Sequence, residues 1–311
     1  MTAQSTVVER QFGANRFDTA VEVAKNAFPG TGMDAAFLAN GLDFPDALAA
    51  AAAAGALGGP VLLTESRRLP SSVEDELAAL SPQYLLVSGG PASVSDQVAY
   101  QASQYASVDA YRLFGQNRFG TAADVSTLWD TSGVVFLASG MDFPDALAGA
   151  AAAGAVGAPV LLTEKNTLPA ETRTALATLQ PSVIVVLGGT GVISSSVASA
   201  AVSATGVSTE SMRLSGANRF DTAVEISRTV FDQPGVPVVY VASGASFADA
   251  LAGAAAAGYL GGPVLLTEAN AIAPSVLTEI QRLQPARIVV LGGPSIVSDV
   301  VMTKLRIAAG A

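Results

Sequence analysis

The sequence has no cysteine and no histidine among its 311 residues. The first absence removes disulfides, thiolate nucleophiles and thiolate metal sites. The second removes the commonest general base and the commonest metal ligand. Cations are scarce, with 13 Arg and 3 Lys against 26 Asp and Glu, and the net charge is −10 with no basic run. That balance argues against nucleic-acid binding and against attraction to an anionic membrane surface. Aromatic residues are 6% of the chain, so its cores must be built from small side chains and closely approaching elements. The longest apolar stretch, Ala47 to Leu63, is mostly Ala and Gly and is broken by Gly58-Gly59-Pro60. It reads as helix, turn and strand, so no membrane insertion is expected. Met1-Thr2-Ala3-Gln4 lacks the basic and apolar regions of a secretory signal, so an exported protein would carry that signal outside this sequence.

What the chain has is repetition. The stretch RQFGANRFDTA at Arg10 returns as RLFGQNRFGTA at Arg112 and RLSGANRFDTA at Arg213, so the starts are 102 and then 101 residues apart. After each copy come an apolar run ending in Asn-Gly or Ser-Gly, then FPDALA (FADALA in the third), an alanine tract, PVLLTE, an amphipathic segment, and an apolar run closed by Gly-Gly. A fixed period redefines the unit of folding. The units are 1–107, 108–211 and 212–311.

Within the first unit, Val7–Arg10 is a short strand candidate. From Phe17 the apolar residues fall at helical spacing, with Asn15 at the N-cap position and Asp18 three residues on. Ala35–Ala39, Val61–Thr64 and Tyr84–Ser88 are continuous apolar runs of the kind found in strands buried on both faces. Asp43–Leu57, Leu69–Leu80 and a segment from Val94 to about Tyr105 read as helices. The order β-α-β-α-β-α-β-α, repeated from Val108 and again from about Met212, implies parallel sheets, and each repeat is expected to form its own four-stranded α/β subdomain. The Ala-rich helices Ala47–Ala56, Ala146–Val156 and Ala250–Leu260 carry almost no side-chain bulk. They are expected to meet near a pseudo-threefold axis and give a three-lobed body.

The copies within the chain separate residue roles. Asp43 and Asp142 become Ser246, an exchange typical of N-caps, so that position is expected to cap. Asp46, Asp145 and Asp249 do not vary: each either complements a helix dipole and pairs with an Arg, or contacts a ligand. Asn15, Asn117 and Asn218 are caps or ligand contacts. Arg16, Arg118 and Arg219 stand at helix starts, where the dipole disfavours a cation. They read either as partners of the first-turn Asp of the same or an adjacent repeat, or as ligand contacts. Arg10, Arg112 and Arg213, at strand ends, invite the same two readings. These residues, Thr64, Thr163 and Thr267, and the turns Gly89-Gly90, Gly188-Gly189 and Gly292-Gly293 all follow strands or lie at their ends. They are expected to converge on one rim in each lobe, where ligands of parallel sheets bind.

Signals of catalysis are lacking. There is no Walker-type loop, no GxGxxG after the first strand and no GxSxG elbow. Asp43 and Asp46 could pair as carboxylates, but Ser246 breaks the pair in one copy, and a metal would need more oxygens than they offer. No catalytic residue, metal site or cofactor is assigned, and the chain is expected not to be an enzyme.

The ordered set RxxGxNRFxTA, FPDALA, PVLL and LGG, over essentially the whole chain, resembles the type 2 cell-wall-binding repeat. That family occurs, typically as three tandem copies, in surface proteins and wall-lytic amidases of Gram-positive bacteria. The resemblance implies an α/β module of three tandem Rossmann- or toprim-like parallel-sheet repeats. It implies extracellular, wall-associated localisation and non-covalent anchoring through an anionic secondary wall polymer or a peptidoglycan-associated glycan, with the effector domain absent from this chain. The family's anchoring-linked Pro-Ile-Leu-Leu segment falls on Pro60–Leu63, Pro159–Leu162 and Pro263–Leu266, with Val in place of Ile; as buried strands these support the fold. The third copy departs at Ser246 and Ala248. Because the chain is acidic, binding an anionic polymer would rest on local Arg clusters, bridging cations or sugar hydroxyls. The competing readings are a self-assembling surface scaffold with protein partners and a carbohydrate-active enzyme.

Overall fold

The structure is a computed structural model and describes residues 6–310. The first repeat runs β1 (Val7–Gln11), α1 (Arg16–Ala27), β2 (Ala35–Asn40), α2 (Pro45–Leu57), β3 (Val61–Thr64), α3 (Ser71–Leu80), β4 (Tyr84–Ser88) and α4 (Asp96–Ser103). The second has β5 (Asp109–Leu113), α5 (Arg118–Val125), β6 (Val134–Ser139), α6 (Pro144–Ala155), β7 (Val160–Thr163), α7 (Ala170–Leu179), β8 (Val183–Leu187) and α8 (Ser195–Ala204). The third has β9 (Glu210–Leu214), α9 (Arg219–Val230), β10 (Val238–Ser243), α10 (Ala248–Leu260), β11 (Val264–Thr267), α11 (Pro274–Leu283), β12 (Arg287–Leu291) and α12 (Asp299–Ala309).

All strands are paired in parallel, in three four-stranded sheets ordered β3-β2-β4-β5, β7-β6-β8-β9 and β1-β12-β10-β11. Strands β2, β3, β7, β10 and β11 are buried along their whole length because helices cover both faces of the sheets. Each sheet takes three strands from one repeat and its last from the next. The expectation of a self-contained sheet in each repeat is therefore corrected. The cause is the helix that follows that last strand. Helices α5, α9 and α1 pack on the central helix of the preceding lobe (α2, α6 and α10) as well as on the third strand of their own repeat. The strand feeding each of them must therefore lie on the preceding sheet. At the ends of the chain this closes a ring: β1 joins the sheet of the third repeat, from Val7 opposite Arg287 to Gln11 opposite Leu291.

The alanine helices α2, α6 and α10 pack on one another around the pseudo-threefold axis, as their composition led one to expect. Ala47 to Ala54 are at most 1% exposed, since a helix at the centre of three lobes has no solvent face. Alanine is also the best helix former, so small size costs nothing locally. The closest approach is backbone to backbone. A Cβ on Gly55 would lie 3.2 Å from Gly154 Cα, and one on Gly258 3.0 Å from the Ala151 carbonyl oxygen. Packing against the sheets is matched position by position. Ala50 stands in line with Ser88, whereas the equivalent Gly149 and Gly253 leave room for Leu187 and Leu291.

Candidate functional site

The site residues are set by three local features: a helix start, a helix first turn, and a Gly-Gly turn. At the helix start, Asn15 Oδ1 accepts from the amides of Phe17 (2.9 Å) and Asp18 (3.0 Å), and Asn15 Nδ2 donates to Asp18 Oδ2 at 2.8 Å. Asn218 repeats this with Phe220 and Asp221. Asn117 lacks the reciprocal acid; it caps the Gly120 amide at 2.9 Å and donates to Glu171 Oε1 at 2.9 Å. The asparagines are thus N-caps, and their oxygens are committed to the backbone.

The arginine beside each cap does not run back along its helix. Arg16 Nη1 donates to the Gly41 carbonyl at 2.8 Å, Arg118 to Gly140 at 2.6 Å, and Arg219 to Gly244. Among the described residues each guanidinium makes that one protein hydrogen bond, and its other N–H groups have no protein acceptor. No direct ion pair with the first-turn aspartate forms; the two charges instead face each other across a repeat junction. Asp249 faces Arg16 and Thr19, Asp46 faces Arg118 and Thr121, and Asp145 faces Arg219 and Thr222. Burial pushes all three carboxyls above the ordinary aspartate value, while the neighbouring threonine hydroxyl and arginine charge pull the other way. Ser93 adds a second hydroxyl beside Asp46.

The Gly-Gly turns close over these carboxylates. The first glycines, Gly89, Gly188 and Gly292, have φ of 112°, 89° and 95°. A Cβ there would fall 2.6, 2.4 and 2.8 Å from Oδ2 of Asp46, Asp145 and Asp249. Glycine is required both by the left-handed backbone and by the acid lying against it.

The rim expected within each lobe is therefore a cleft between lobes. One, of about 290 Å³, is lined by Asp145, Gly189, Asn218, Arg219 and Thr222. Another, of about 430 Å³, is lined by Asn15, Arg16, Thr19, Asp249 and Gly293, and joins the last repeat to the first. Ser246 and Ala248, where the third copy departs from the pattern, line this second cleft. Phe12 and Phe114 lie over Gly293 and Gly90, whereas Ser215 replaces them in the third copy and leaves Gly189 uncovered.

The structure keeps two groups of sequence-nominated residues out of these clefts. Thr64, Thr163 and Thr267 are fully buried. Their hydroxyls donate to backbone carbonyls of the loop that follows, for example Glu65 and Arg68, both at 3.1 Å. Arg10, Arg112 and Arg213 staple the Gly-Gly turn of the sheet their strand has joined, Arg112 holding the Gly89 and Val94 carbonyls at 2.7 and 2.8 Å. Arg10 and Arg112 also pair with Asp299 and Asp96; Ser195 stands in that place in the second copy, leaving Arg213 without an acid. The caps expected of Asp43, Asp142 and Ser246 are not there either. The N-cap position falls one residue on, at Phe44, Phe143 and Phe247, without a side-chain cap, because proline or alanine begins the helix directly after.

Two sets of residues escaped the sequence reading although all three copies share them. Thr19, Thr121 and Thr222 face the junction acids. Phe44, Phe143 and Phe247 form an aromatic triad, with ring centroids 5.7 to 5.8 Å apart, where the three alanine helices begin. Arg118 lies 5.8 Å from the Phe44 ring, tying the second repeat to the first by a cation–π contact. Among the described residues there is no cluster of three or more metal-ligating side chains, and no helix is long and apolar enough to cross a membrane.

The profile of the family described as Cell wall binding domain 2 (CWB2) matches residues 10–99, 112–198 and 213–302, most of the chain. The chain belongs to the CWB2 family. Its three CWB2 repeats are 28% identical over 299 residues to N-acetylmuramoyl-L-alanine amidase LytC of Bacillus subtilis (strain 168), covering 96% of this chain and 58% of that protein. They are 27% identical over 266 residues to the amidase enhancer of the same organism, covering 86% of this chain and 35% of that protein. The chain thus spans less than two thirds of the length of either curated relative, 58% of one and 35% of the other. Among solved structures, Cwp6 from Clostridium difficile superposes with a TM-score of 0.87 over 98% of this chain and 48% of its own, at 23% identity, a likeness of fold. Cwp8 from the same organism superposes at 0.85 over 97% of this chain and 52% of its own, at 26% identity. The CWB2 matches begin at Arg10, Arg112 and Arg213, so the sequence unit starts at the strand that crosses to the preceding sheet.

Proposed function

We propose that this CWB2 module is non-catalytic and holds a surface protein on the outside of a Gram-positive wall by binding an anionic secondary polymer at its repeat junctions. The observation that carries this reading is the recurrence of one arrangement at all three junctions. An arginine with unspent donors and a capping asparagine from one repeat face a buried aspartate and a bare glycine turn from the preceding one. Arg16, Arg118 and Arg219 take the polymer's negative charge. The remaining side-chain N–H of Asn15, Asn117 and Asn218 and the carboxylates of Asp46, Asp145 and Asp249 take its hydroxyls. Local cation placement answers the net charge of −10, because salt screens the distant acids more than the contacting arginine. Three weak sites around one body suit a repeating polymer, since linked sites gain avidity without a tight single site. The rest of the anchored protein supplies any activity.

The test is sedimentation of the module with Gram-positive walls, native or stripped of secondary polymer by mild acid, across a salt series. Binding is expected to vanish on stripping and weaken with salt. Single Arg16→Ala, Arg118→Ala or Arg219→Ala changes should weaken it several-fold, and the triple change should abolish it. Equal binding to stripped walls, or no effect of the triple change in a folded protein, would overturn the reading.

A further inference from the structure

The second repeat departs from the other two on its flank, between its first and third helices α5 and α7. In the third repeat the space between α9 and α11 is filled by Glu279, 0% exposed, which accepts from Arg282, Arg228 and Ser227 at 2.6 to 3.2 Å. In the first repeat, Glu76 and Lys25 occupy the same place between α1 and α3, 4.0 Å apart. The equivalent positions of the second repeat are Ala175 for the glutamate, Thr127 for Lys25 and Arg228, and Thr178 for Arg282. Ala123 stands for Val21 and Val224, and Gly120 for Asp18 and Asp221. Helix α5 also stops at Val125 and continues as a 3-10 turn, Ser126–Leu128. Against the third repeat every one of these changes removes bulk or charge from the same interface; against the first, only Thr178, in place of Ala79, adds any. The result is a groove of about 880 Å³ between α5 and α7. That is within the size of small-molecule sites, about 300–1,000 Å³.

The lining has one sign of charge. Asp124, Asp130 and Glu171 face the groove and no Arg or Lys does. Asp124 Oδ2 accepts from the Phe114 amide at 2.8 Å, and Glu171 Oε1 from Asn117 at 2.9 Å, so both carboxylates are held in place with their other oxygens uncommitted among the described residues. Thr127, Thr174 and Thr178 add hydroxyls along the walls. The chain's one tryptophan, Trp129, supplies an aromatic wall and is fixed by its indole N–H donating to the Gly157 carbonyl at 2.8 Å. Fixed carboxylates, hydroxyls and an aromatic face together suit a hydroxylated ring that bears a cation. Such a cation gains from the acids and from the tryptophan face at once.

We propose that the α5–α7 groove is a binding site for a sugar carrying a free, protonated amine, an unacetylated hexosamine unit of a glycan. This ligand is distinct from the polymer of the junction clefts, although Asn117, the cap at the junction of the first two repeats, reaches Glu171 on the groove wall.

Trp129 makes the test direct, because its fluorescence reports the groove alone. The intact chain is titrated with a β-1,4-linked glucosamine tetramer, with its fully N-acetylated counterpart, and with a lysine-rich peptide. A saturable change is expected with the glucosamine tetramer, weakened by salt, and at least tenfold weaker with the acetylated one. The variant Thr127→Arg/Ala175→Glu/Thr178→Arg rebuilds in the second repeat the network that the third repeat already folds around. It should retain the wild-type circular dichroism and lose binding at least tenfold. Asp130→Asn, an exposed change that leaves the fold alone, should weaken binding several-fold. The inference is overturned by an unsaturable response, by equal affinity for the acetylated tetramer, or by binding of the peptide in preference to the sugar. It is equally overturned by undiminished binding in the refilled variant and in Asp130→Asn.

Discussion

Replacing Gly258 with alanine sets two effects of known sign against each other. In a helix interior the exchange ordinarily stabilises by about 0.5–1 kcal/mol, because glycine loses more backbone freedom on folding. At this position the added Cβ would meet the Ala151 carbonyl oxygen at 3.0 Å, Gly154 Cα at 3.1 Å and the Ala155 amide nitrogen at 3.3 Å. All three atoms are backbone of α6, and α6 is itself held against α2 and its own sheet. The contact can be relieved only by moving a helix axis by a few tenths of an ångström, an overpacking cost of about 1–3 kcal/mol. The steric term wins, and a net loss of about 1–2 kcal/mol is expected. For a chain of this size that is a fall of roughly 2–5 °C in Tm, read by calorimetry. Gly55 and Gly154 occupy the same layer, within 3.2 to 3.4 Å of each other's and of Gly258's backbone by the same measure. The triple Gly→Ala variant should therefore lose more than the sum of the single changes, since each new methyl removes room the others need. A Tm raised by Gly258→Ala, or strictly additive losses, would refute backbone contact at the axis.

Tyr240 occupies the place of Phe37 and Phe136, its hydroxyl is buried without a partner among the described residues, and burial raises its pKa to about 12. Tyr240→Phe should therefore be neutral or stabilise by up to about 1 kcal/mol in chemical denaturation; a loss larger than that would reveal a partner for the hydroxyl. Burial raises Asp145 above its ordinary 3.8, so its contribution to stability is full below that value and is lost as pH rises through the folded pKa. Asp145→Asn should be at least as stable as wild type near neutrality, with the difference closing as pH falls toward 3.8; a difference independent of pH would count against this. Removing residues 1–11 strips β1 from β12 and leaves an open sheet edge. Lower Tm and concentration-dependent association in light scattering are expected, and a monomer of unchanged stability would refute the closure of the ring by β1.

The sequence by itself determined the repeats, the alternation of buried strands and helices, and the alanine helices at the centre. Each of these is written in a local period or in side-chain size, as with Asn15 at its cap and Ala47–Ala54 along α2. The position of the sites was another matter. The motif places Asp46 and Arg16 in one repeat, but the structure sets Asp46 against Arg118 and Arg16 against Asp249. Nothing local records that shift, because it follows from which lobe the helix after each first strand packs on. The fate of Thr64, Thr163 and Thr267 was equally hidden. A threonine at a strand end can face solvent or turn inward, and only the following loop, whose carbonyls accept its hydroxyl, decided it. The α5–α7 groove was present in the sequence as Ala175, Thr127 and Thr178. Those residues acquire meaning only once the structure shows that their counterparts Glu279, Arg228 and Arg282 meet in space, because an ion network between two helices is a tertiary contact that no single segment specifies.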